Sequence, residues 1–169
     1  MEIMCRGKWI EMVNDDGWEY YRRIRGATAV IIPAMVGDNY ILVEQYRKPI
    51  QSTCIEWAAG LVGDIEEGEH PETAGLRELV EETGYEATKH FFLDMPQVSS
   101  PGASSESFFF LLCPQCKKIA AGGGVDGEDI ITHIIPEEQI IEFLEEKAHE
   151  GIAIDSKIYA GIHLLKVYG

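Results

Sequence analysis

A dense run of acidic residues before the middle of the chain most constrains how this sequence can fold. Eight carboxylates lie between residues 64 and 82, with Arg77 as the one basic residue among them. Pro71 at a first helical position and Gly84 as a C-terminal stop predict a helix over residues 71–83. On such a helix one side carries Leu76, Leu79, Val80 and Thr83, and the other carries Glu78, Glu81 and Glu82. The helix must therefore bury its apolar side and hold three like charges together on the opposite side.

Two explanations of this acidity are open. The whole chain has 29 acidic and 14 basic residues, a net charge of -15 and a pI of about 4.6. Such a chain repels a phosphate backbone, so a nucleic-acid partner is disfavoured. The excess acids either form a solvated surface or hold hard divalent cations, which prefer carboxylate oxygens.

The order of predicted elements indicates the fold class. Strands are predicted over residues 8–14, 18–25, 27–32, 40–45, 54–58, 87–94, 107–113 and 130–135, and helices over 71–83, 136–149 and 156–167. Runs of strands separated by single helices favour an α/β (α+β) chain with a mixed sheet between helices, and disfavour Rossmann and TIM-barrel architectures. The sequence has no apolar run of about 18 residues and no apolar core of a signal peptide at its N-terminus, so we expect a cytoplasmic protein without a membrane partner.

A longer pattern surrounds the acidic helix. Gly63 is followed after five residues by Glu69, and seven residues later the chain reads Arg77-Glu78-Leu79-Val80-Glu81-Glu82-Thr83-Gly84-Tyr85. With U as an apolar residue, this segment fits G-x5-E-x7-R-E-U-x-E-E-x-G-U at every specified position, and the chain resembles the Nudix hydrolases. The resemblance implies a Nudix α/β/α sandwich. It also implies cleavage of a nucleoside diphosphate linked to another group, with two or three Mg²⁺ ions per site and Mn²⁺ as a substitute.

The resemblance also assigns roles to the acidic residues. Glu78 and Glu82 become the leading metal ligands, with Glu81 beside them as a ligand and candidate catalytic residue, while Arg77 and Glu69 brace the loop and helix. These residue types suit the chemistry, because a pyrophosphate repels an attacking water until cations neutralise its oxygens.

The position of the family's glycine is ambiguous. Gly63 satisfies the spacing, but relatives that cleave nucleotide sugars have an Ala-Gly-Leu segment directly before the acidic loop, which here is Ala59-Gly60-Leu61. We therefore favour Gly60 as the structural counterpart, with three extra loop residues. In that alignment the backbone carbonyl of Ala59 is an additional metal ligand.

Three further segments resemble the ADP-ribose and nucleotide-sugar pyrophosphatases. They are Glu44-Gln45-Tyr46-Arg47, Ile55-Glu56-Trp57-Ala58-Ala59-Gly60 and Ser99-Ser100-Pro101-Gly102, the last followed by Glu106. The resemblance makes Arg47, Glu56, Pro101, Gly102 and Glu106 candidate substrate-binding residues. For Arg47 a guanidinium fork suits phosphate or ribose oxygens, and a surface salt bridge is the alternative.

A glycine-rich acidic segment over residues 122–130 resembles the mobile loop that supplies the general base or a further metal ligand in this group. Glu128 is the first candidate and Asp126 the second. An acidic surface loop with a glycine hinge is the alternative.

The N-terminal residues 1–26 are predicted as a β-hairpin that belongs to the same unit as a Nudix domain over residues 27–169. In related dimers this hairpin reaches into the partner's site, so we expect a homodimer. Tyr20 and Arg25 are the first candidates for substrate contact from the hairpin, ahead of Trp18. Packing within the sheet is the alternative.

Together these features predict an enzyme, a metal-dependent Nudix pyrophosphatase that acts on nucleoside diphosphate sugars. The leading reaction converts ADP-ribose to AMP and ribose 5-phosphate. A preference for GDP-mannose or UDP-glucose, or a broad specificity, is the nearest alternative. A non-catalytic Nudix sensor of nucleotide sugars is an alternative of another class, although this chain keeps every glutamate of the pattern.

Overall fold

The N-terminal strands form their own antiparallel sheet. The computed structural model describes residues 1–24, 28–63, 68–125 and 127–169. In it, β2 (Ile10–Asp15) pairs with β1 (Glu2–Arg6) on one side and with β3 (Trp18–Arg23) on the other. The predicted hairpin is β2 and β3. Strand β1 was not predicted, because all five of its residues are exposed and no alternation of apolar and polar residues indicates a strand.

The remaining strands form a mixed sheet. They are β4 (Thr28–Ile32), β5 (Ala34–Val36), β6 (Asn39–Arg47), β7 (Ser52–Glu56), β8 (Ala58–Leu61), β9 (Tyr85–Val98), β10 (Ser107–Lys118), β11 (Ile131–Pro136) and β12 (Ala153–Ile154). Their order is β12-β7-β6-β5-β10-β4-β8, with β11 paired to β6 and β9 to β10. Strand β10 runs parallel to β4, and β12 runs parallel to β7, whereas β8 runs antiparallel to β4. The predicted mixed sheet is confirmed.

Helices cover both faces of this sheet. Helix α1 (Pro71–Glu78) continues into a π-helical turn, Leu79–Thr83, and so fills the predicted range. Helix α2 (Ile140–His149) follows a short 3-10 turn, and α3 (Lys157–Tyr168) ends the chain. Among the described residues, no helix is both long and apolar enough to span a membrane.

The core has two layers because side chains alternate along the central strands. On β10, Phe110 packs in a cluster with residues of α2 and α3, whereas its neighbour Leu111 packs in a cluster with Ala74 and Leu79 of the acidic helix. The acidic helix therefore lies on one face and α2 and α3 lie on the other. This arrangement is the α/β/α sandwich that the resemblance implied.

Candidate active site

The C-terminal half of the acidic helix brings its glutamates together around Arg77. One guanidinium nitrogen, Nη1, donates to Glu78 Oε1 at 2.9 Å and to Glu81 Oε2 at 3.0 Å. The other, Nη2, donates to Glu69 Oε2 at 3.5 Å. The arginine thus offsets the repulsion between neighbouring carboxylates and ties the preceding loop to the helix. This geometry agrees with the bracing role expected for Arg77 and Glu69.

Glu82 lies in the interior, which corrects the expectation that all three glutamates share one exposed side. Its side chain is 5% exposed, and the backbone N–H of Ala59 on β8 donates to Glu82 Oε2 at 3.2 Å. The pKa of the Glu82 carboxyl is raised to about 8, mainly by burial and to a smaller extent by the charges of Glu78 and Glu128, whereas the hydrogen bond from Ala59 lowers it. Glu82 stands three residues after the buried Leu79, so helical spacing places it beside that residue at the edge of the apolar side, where it meets β8.

Strand β8 also makes room for Glu78. A Cβ atom added to Gly60 would lie 2.2 Å from Glu78 Cγ and 2.6 Å from its Oε1. A side chain at position 60 would therefore displace Glu78 from its place beside β8. This contact supports Gly60 as the counterpart of the family's glycine. Gly63 lies beyond the strand in a turn with φ of 77°.

The glycine-rich loop places Glu128 near the same carboxylates. The charge of Glu128 contributes to the raised pKa of both Glu78 and Glu82, although desolvation is the largest cause for each. The exposed Glu128 side chain accepts a hydrogen bond from the N–H of Val125 at 3.2 Å. The second candidate of this loop, Asp126, lies outside the described residues.

The donor chemistry of these residues fits a hard divalent cation. The candidate donors are carboxylate oxygens and the Ala59 carbonyl, the oxygen ligands that Mg²⁺ prefers. Within the described ranges, however, no three side chains of His, Cys, Asp or Glu are already arranged around one metal position. Glu78 and Glu81 each direct one carboxylate oxygen at Arg77. A metal ion bound at this site would therefore compete with Arg77 for these two carboxylates.

A cleft of about 690 Å³ opens beside β8 and contains four of the predicted site residues. These are Arg47, Glu56, Ala59 and Glu106. Arg47 donates from Nε and Nη2 to the two oxygens of the buried Glu56 at 2.6 and 2.7 Å. The salt bridge that was the alternative for Arg47 is thus formed, and it lies in the wall of the cleft.

Two cationic residues that the sequence analysis missed also line this cleft. Arg23 of β3 donates to Glu106 Oε1, and Tyr21 Oη donates to Glu106 Oε2 at 3.3 Å. Lys157 at the start of α3 pairs with Asp155 at 2.6 Å. The sequence offers only one indication that Arg23 and Lys157 matter, which is that they are two of just 14 basic residues in an acidic chain. Their convergence depends on tertiary packing that local patterns do not encode.

Three of the other candidate substrate-binding residues, Tyr20, Pro101 and Gly102, do not line this cleft in their own chain. Tyr20 Oη is directed to Met1 Sδ at 3.7 Å, while Pro101 and Gly102 are exposed in a loop. The carbonyl oxygen of Gly102 accepts from Trp18 Nε1 at 3.1 Å. Arg25 is outside the described residues. Substrate contact by Tyr20, Pro101 or Gly102 stays a prediction that requires another subunit or a rearranged loop.

Known proteins resemble this chain in sequence and in fold. The model of the NUDIX domain matches residues 24–153. A solved structure described as an ADP compounds hydrolase superposes with a TM-score of 0.73 over 99% of this chain and 90% of that chain, at 22% identity. At that identity the superposition supports the fold alone.

Three curated relatives share sequence with the chain. The methanol dehydrogenase activator of Bacillus methanolicus is 31% identical over 146 residues, covering 85% of this chain and 75% of that protein. The GDP-mannose pyrophosphatase of Enterobacter sp. (strain 638) is 32% identical over 162 residues, covering 89% and 78%. The ADP-ribose pyrophosphatase of Bacillus subtilis (strain 168) is 35% identical over 106 residues, covering 63% and 55%. This chain thus spans only about half of the last relative.

Proposed function

Because this chain belongs to the NUDIX family, we propose that it hydrolyses the pyrophosphate bond of nucleoside diphosphate sugars, with ADP-ribose as the leading substrate. Water adds to one phosphorus atom, the bond from that phosphorus to the bridging oxygen breaks, and the products are AMP and ribose 5-phosphate. The observation that carries the proposal is the position of Glu82. This buried carboxylate is hydrogen-bonded to Ala59 in the wall of a cation-lined cleft, and it lies within electrostatic reach of Glu78 and Glu128.

We assign the metal-binding role to Glu78, Glu81, Glu82 and the carbonyl of Ala59, with Glu128 as a further donor. Mg²⁺ or Mn²⁺ bound there would neutralise the phosphate oxygens and lower the pKa of the attacking water. The raised pKa of Glu82 supports this assignment, since a desolvated carboxylate gains most from a nearby cation. Two or three ions per site are expected from the family, and their number stays a prediction.

Glu128 is our first candidate for the general base. Its carboxylate is exposed and attached to a glycine-rich loop, while its charge acts on Glu78 and Glu82. A base in this position could take the proton of a water held over the glutamates. Glu81 is the second candidate among the described residues, although it is held by Arg77.

The cleft supplies cations for the substrate's phosphates and polar partners for its sugar. Arg47, Arg23 and Lys157 each enter the cleft already paired with a carboxylate, respectively Glu56, Glu106 and Asp155. Each pairing fixes the orientation of a long side chain before the substrate arrives, which lowers the entropy cost of binding. The Arg47 guanidinium also keeps donors beyond the two that bind Glu56, and these can bind phosphate oxygens.

A preference for GDP-mannose is the second candidate function. The GDP-mannose pyrophosphatase relative aligns over 89% of this chain, more than the ADP-ribose pyrophosphatase relative. The cleft residues named above would bind phosphate oxygens and sugar hydroxyls, and they do not determine which base is preferred. UDP-glucose hydrolysis follows from the same argument with less support.

We also propose that the N-terminal sheet mediates a homodimer. Exposed apolar side chains lie on both of its faces: Ile10 and Met12 on one, and Ile3 and Trp18, which pair with Val13 and Asp15, on the other. Exposed apolar side chains that lie close together are typical of a protein interface. Residues 1–26 would then contribute to assembly, and residues 27–169 would contain the hydrolase domain. The cytoplasmic location stays a prediction from sequence.

The test is a phosphate-release assay with Mg²⁺ and a coupled phosphatase. The substrates are ADP-ribose, GDP-mannose, UDP-glucose, a diadenosine polyphosphate and a dNTP. We expect turnover of nucleotide sugars, with ADP-ribose fastest, and loss of turnover when EDTA is added. Faster turnover of GDP-mannose would select the second candidate. If no nucleotide sugar is hydrolysed, the proposed function is wrong.

A further inference from the structure

The end of the acidic helix is held by a lysine from the far end of β10. The ammonium of Lys118 donates to the carbonyl oxygen of Thr83, the last helical residue, at 2.8 Å, and to that of Ala121 in the glycine-rich loop at 3.1 Å. It also lies 4.7 Å from the centroid of the Tyr85 ring. The last carbonyls of a helix carry partial negative charge, so a cation is favoured here.

Backbone hydrogen bonds join the same two segments. Gly123 N–H donates to the carbonyl of Glu82 at 2.8 Å, and Gly124 N–H donates to that of Glu81 at 3.0 Å. The carbonyl of Gly84 accepts from the residues that follow Lys118. The segments touch so closely that a Cβ atom on Gly84 would lie 2.2 Å from the Ala120 carbonyl oxygen. The loop is therefore attached directly to the two glutamates at the helix end.

Glu128 lies at the other end of this attached segment. Its carboxylate accepts a hydrogen bond from the N–H of Val125, and the N–H of Ile130 donates to the carbonyl of Gly123 at 3.3 Å. The position of Glu128 relative to Glu82 therefore depends on how firmly the loop's first residues are held to the helix. Lys118 contacts both sides of that junction.

We propose that Lys118 is a positioning residue that fixes the distance between the glutamate helix and the loop that carries Glu128. Its contacts among the described residues are two backbone carbonyls and the Tyr85 ring. A hydrogen bond from a charged donor is stronger than one between neutral groups. The catalytic effect of Lys118 rests on the proposed function, whereas its effect on the loop does not.

The neighbouring lysine provides a matched control. Lys117 is exposed and pairs with Glu86 at 2.8 Å on the surface of the sheet. Lys118→Ala should lower kcat roughly tenfold to a hundredfold with little change in KM, because small displacements of a catalytic group have effects of that size. Lys118→Arg should restore most of the loss, and Lys117→Ala should leave kcat unchanged. Equal losses in Lys117→Ala and Lys118→Ala would overturn the proposal.

A double-mutant cycle separates positioning from general stability. In a Glu128→Gln background, Lys118→Ala should cause little further loss of kcat, because the group that it positions is already inactive. If the two losses multiply, Lys118 acts independently of Glu128, and the proposal is wrong. Normal turnover in Glu128→Gln would also overturn it.

Amide hydrogen exchange tests the loop attachment without substrate. In Lys118→Ala, but not in Lys117→Ala, the amides of Gly123 and Gly124 should exchange faster than in the wild type, at least about fivefold for a lost contact of ordinary strength. Unchanged exchange at both amides would overturn the proposal. Faster exchange in a protein that hydrolyses no nucleotide sugar would instead retain the attachment and reject the proposed function alone.

Discussion

The backbone N–H of Ala59 donates a hydrogen bond to Oε2 of Glu82 across 3.2 Å, and so joins β8 to the buried end of the acidic helix. The adjacent Gly60 leaves the space that Glu78 occupies. Strand β8 thus binds Glu82 through a backbone hydrogen bond and leaves space for Glu78. Substitutions in β8 should therefore affect metal binding as strongly as substitutions in the helix.

Glu82→Gln should remove most activity while preserving the fold. The amide fits the same space and can still accept from Ala59, but it lacks the charge that a divalent cation requires. We expect a fall in kcat larger than the roughly hundredfold that a change outside the ligand shell causes. Steady-state kinetics with ADP-ribose, measured over a titration of Mg²⁺, give this change in kcat. Glu145→Gln, on the exposed side of α2, is the control. Turnover within threefold of wild type would remove Glu82 from the metal site.

The metal-free protein should lose stability as the pH rises from about 4.5 to about 8. The pKa of Glu82 is raised from 4.5 to about 8 in the folded chain, mainly by desolvation. Between these values the unfolded chain has released this proton and the folded chain retains it, so the free energy of unfolding decreases with pH. Each unit of difference in pKa corresponds to about 1.4 kcal/mol.

Thermal unfolding in EDTA at several pH values measures this dependence. Glu82→Gln should flatten the slope, because the amide does not titrate. Mg²⁺ should restore stability at pH 8, since it binds the folded chain. An identical slope in wild type and Glu82→Gln would show that other groups cause the dependence.

Gly60→Ala should weaken metal binding and turnover together. The added Cβ would lie 2.2 Å from Glu78 Cγ, closer than side-chain carbons approach, so Glu78 must move. We expect a higher Mg²⁺ concentration at half-maximal rate and a kcat reduced by roughly a hundredfold. Circular dichroism checks that the variant folds. An unchanged Mg²⁺ dependence in a folded Gly60→Ala would contradict the role assigned to this contact.

Arg47→Lys should raise KM much more than it lowers kcat. The lysine keeps the charge but loses the planar fork that binds both oxygens of Glu56. We expect KM for ADP-ribose to rise roughly tenfold, which corresponds to about 1.4 kcal/mol. Arg22→Lys is the matched control, because Arg22 forms a similar pair with the buried Glu11 outside the cleft. Equal KM values in the two variants would assign Arg47 to stability alone.

Met12→Asp should shift the protein from dimer to monomer. Met12 is 41% exposed on β2, on the same face of the N-terminal sheet as the exposed Ile10. A charge in the middle of an apolar interface costs several kcal/mol unless it is paired, roughly enough to dissociate a micromolar dimer. Sedimentation velocity of wild type and variant measures this change. A wild type that sediments as a monomer at high concentration would reject the dimer.

Local patterns predicted the elements that bury a regular apolar stripe. The helical range 71–83 was correct because proline, glycine and helical spacing agree there. Strand β12 was missed because it is only two residues long, and β5 because it is only three. Both depend on neighbouring strands in the sheet and not on their own sequence.

The site was predicted where a contiguous motif defines it and missed where distant segments meet. The glutamates of the helix follow from spacing alone. The burial of Glu82 does not, because it depends on how β8 packs against the helix, where the N–H of Ala59 binds the carboxylate. Arg23 and Lys157 reach the same cleft from opposite ends of the chain. Arg23 belongs to the N-terminal sheet and Lys157 to α3, so only the packing of these two elements against the mixed sheet brings them together.

Strand β10 limits where this protein can tolerate changes in chain length. Glu106 in the cleft immediately precedes this twelve-residue strand, and Lys118 at the helix end is its last residue. Inserting or deleting one residue between them would exchange the side chains that face the two halves of the core, and would shift one end of the site relative to the other. Length variation among homologous sequences should therefore be confined to the segments before Glu106 and after Gly124.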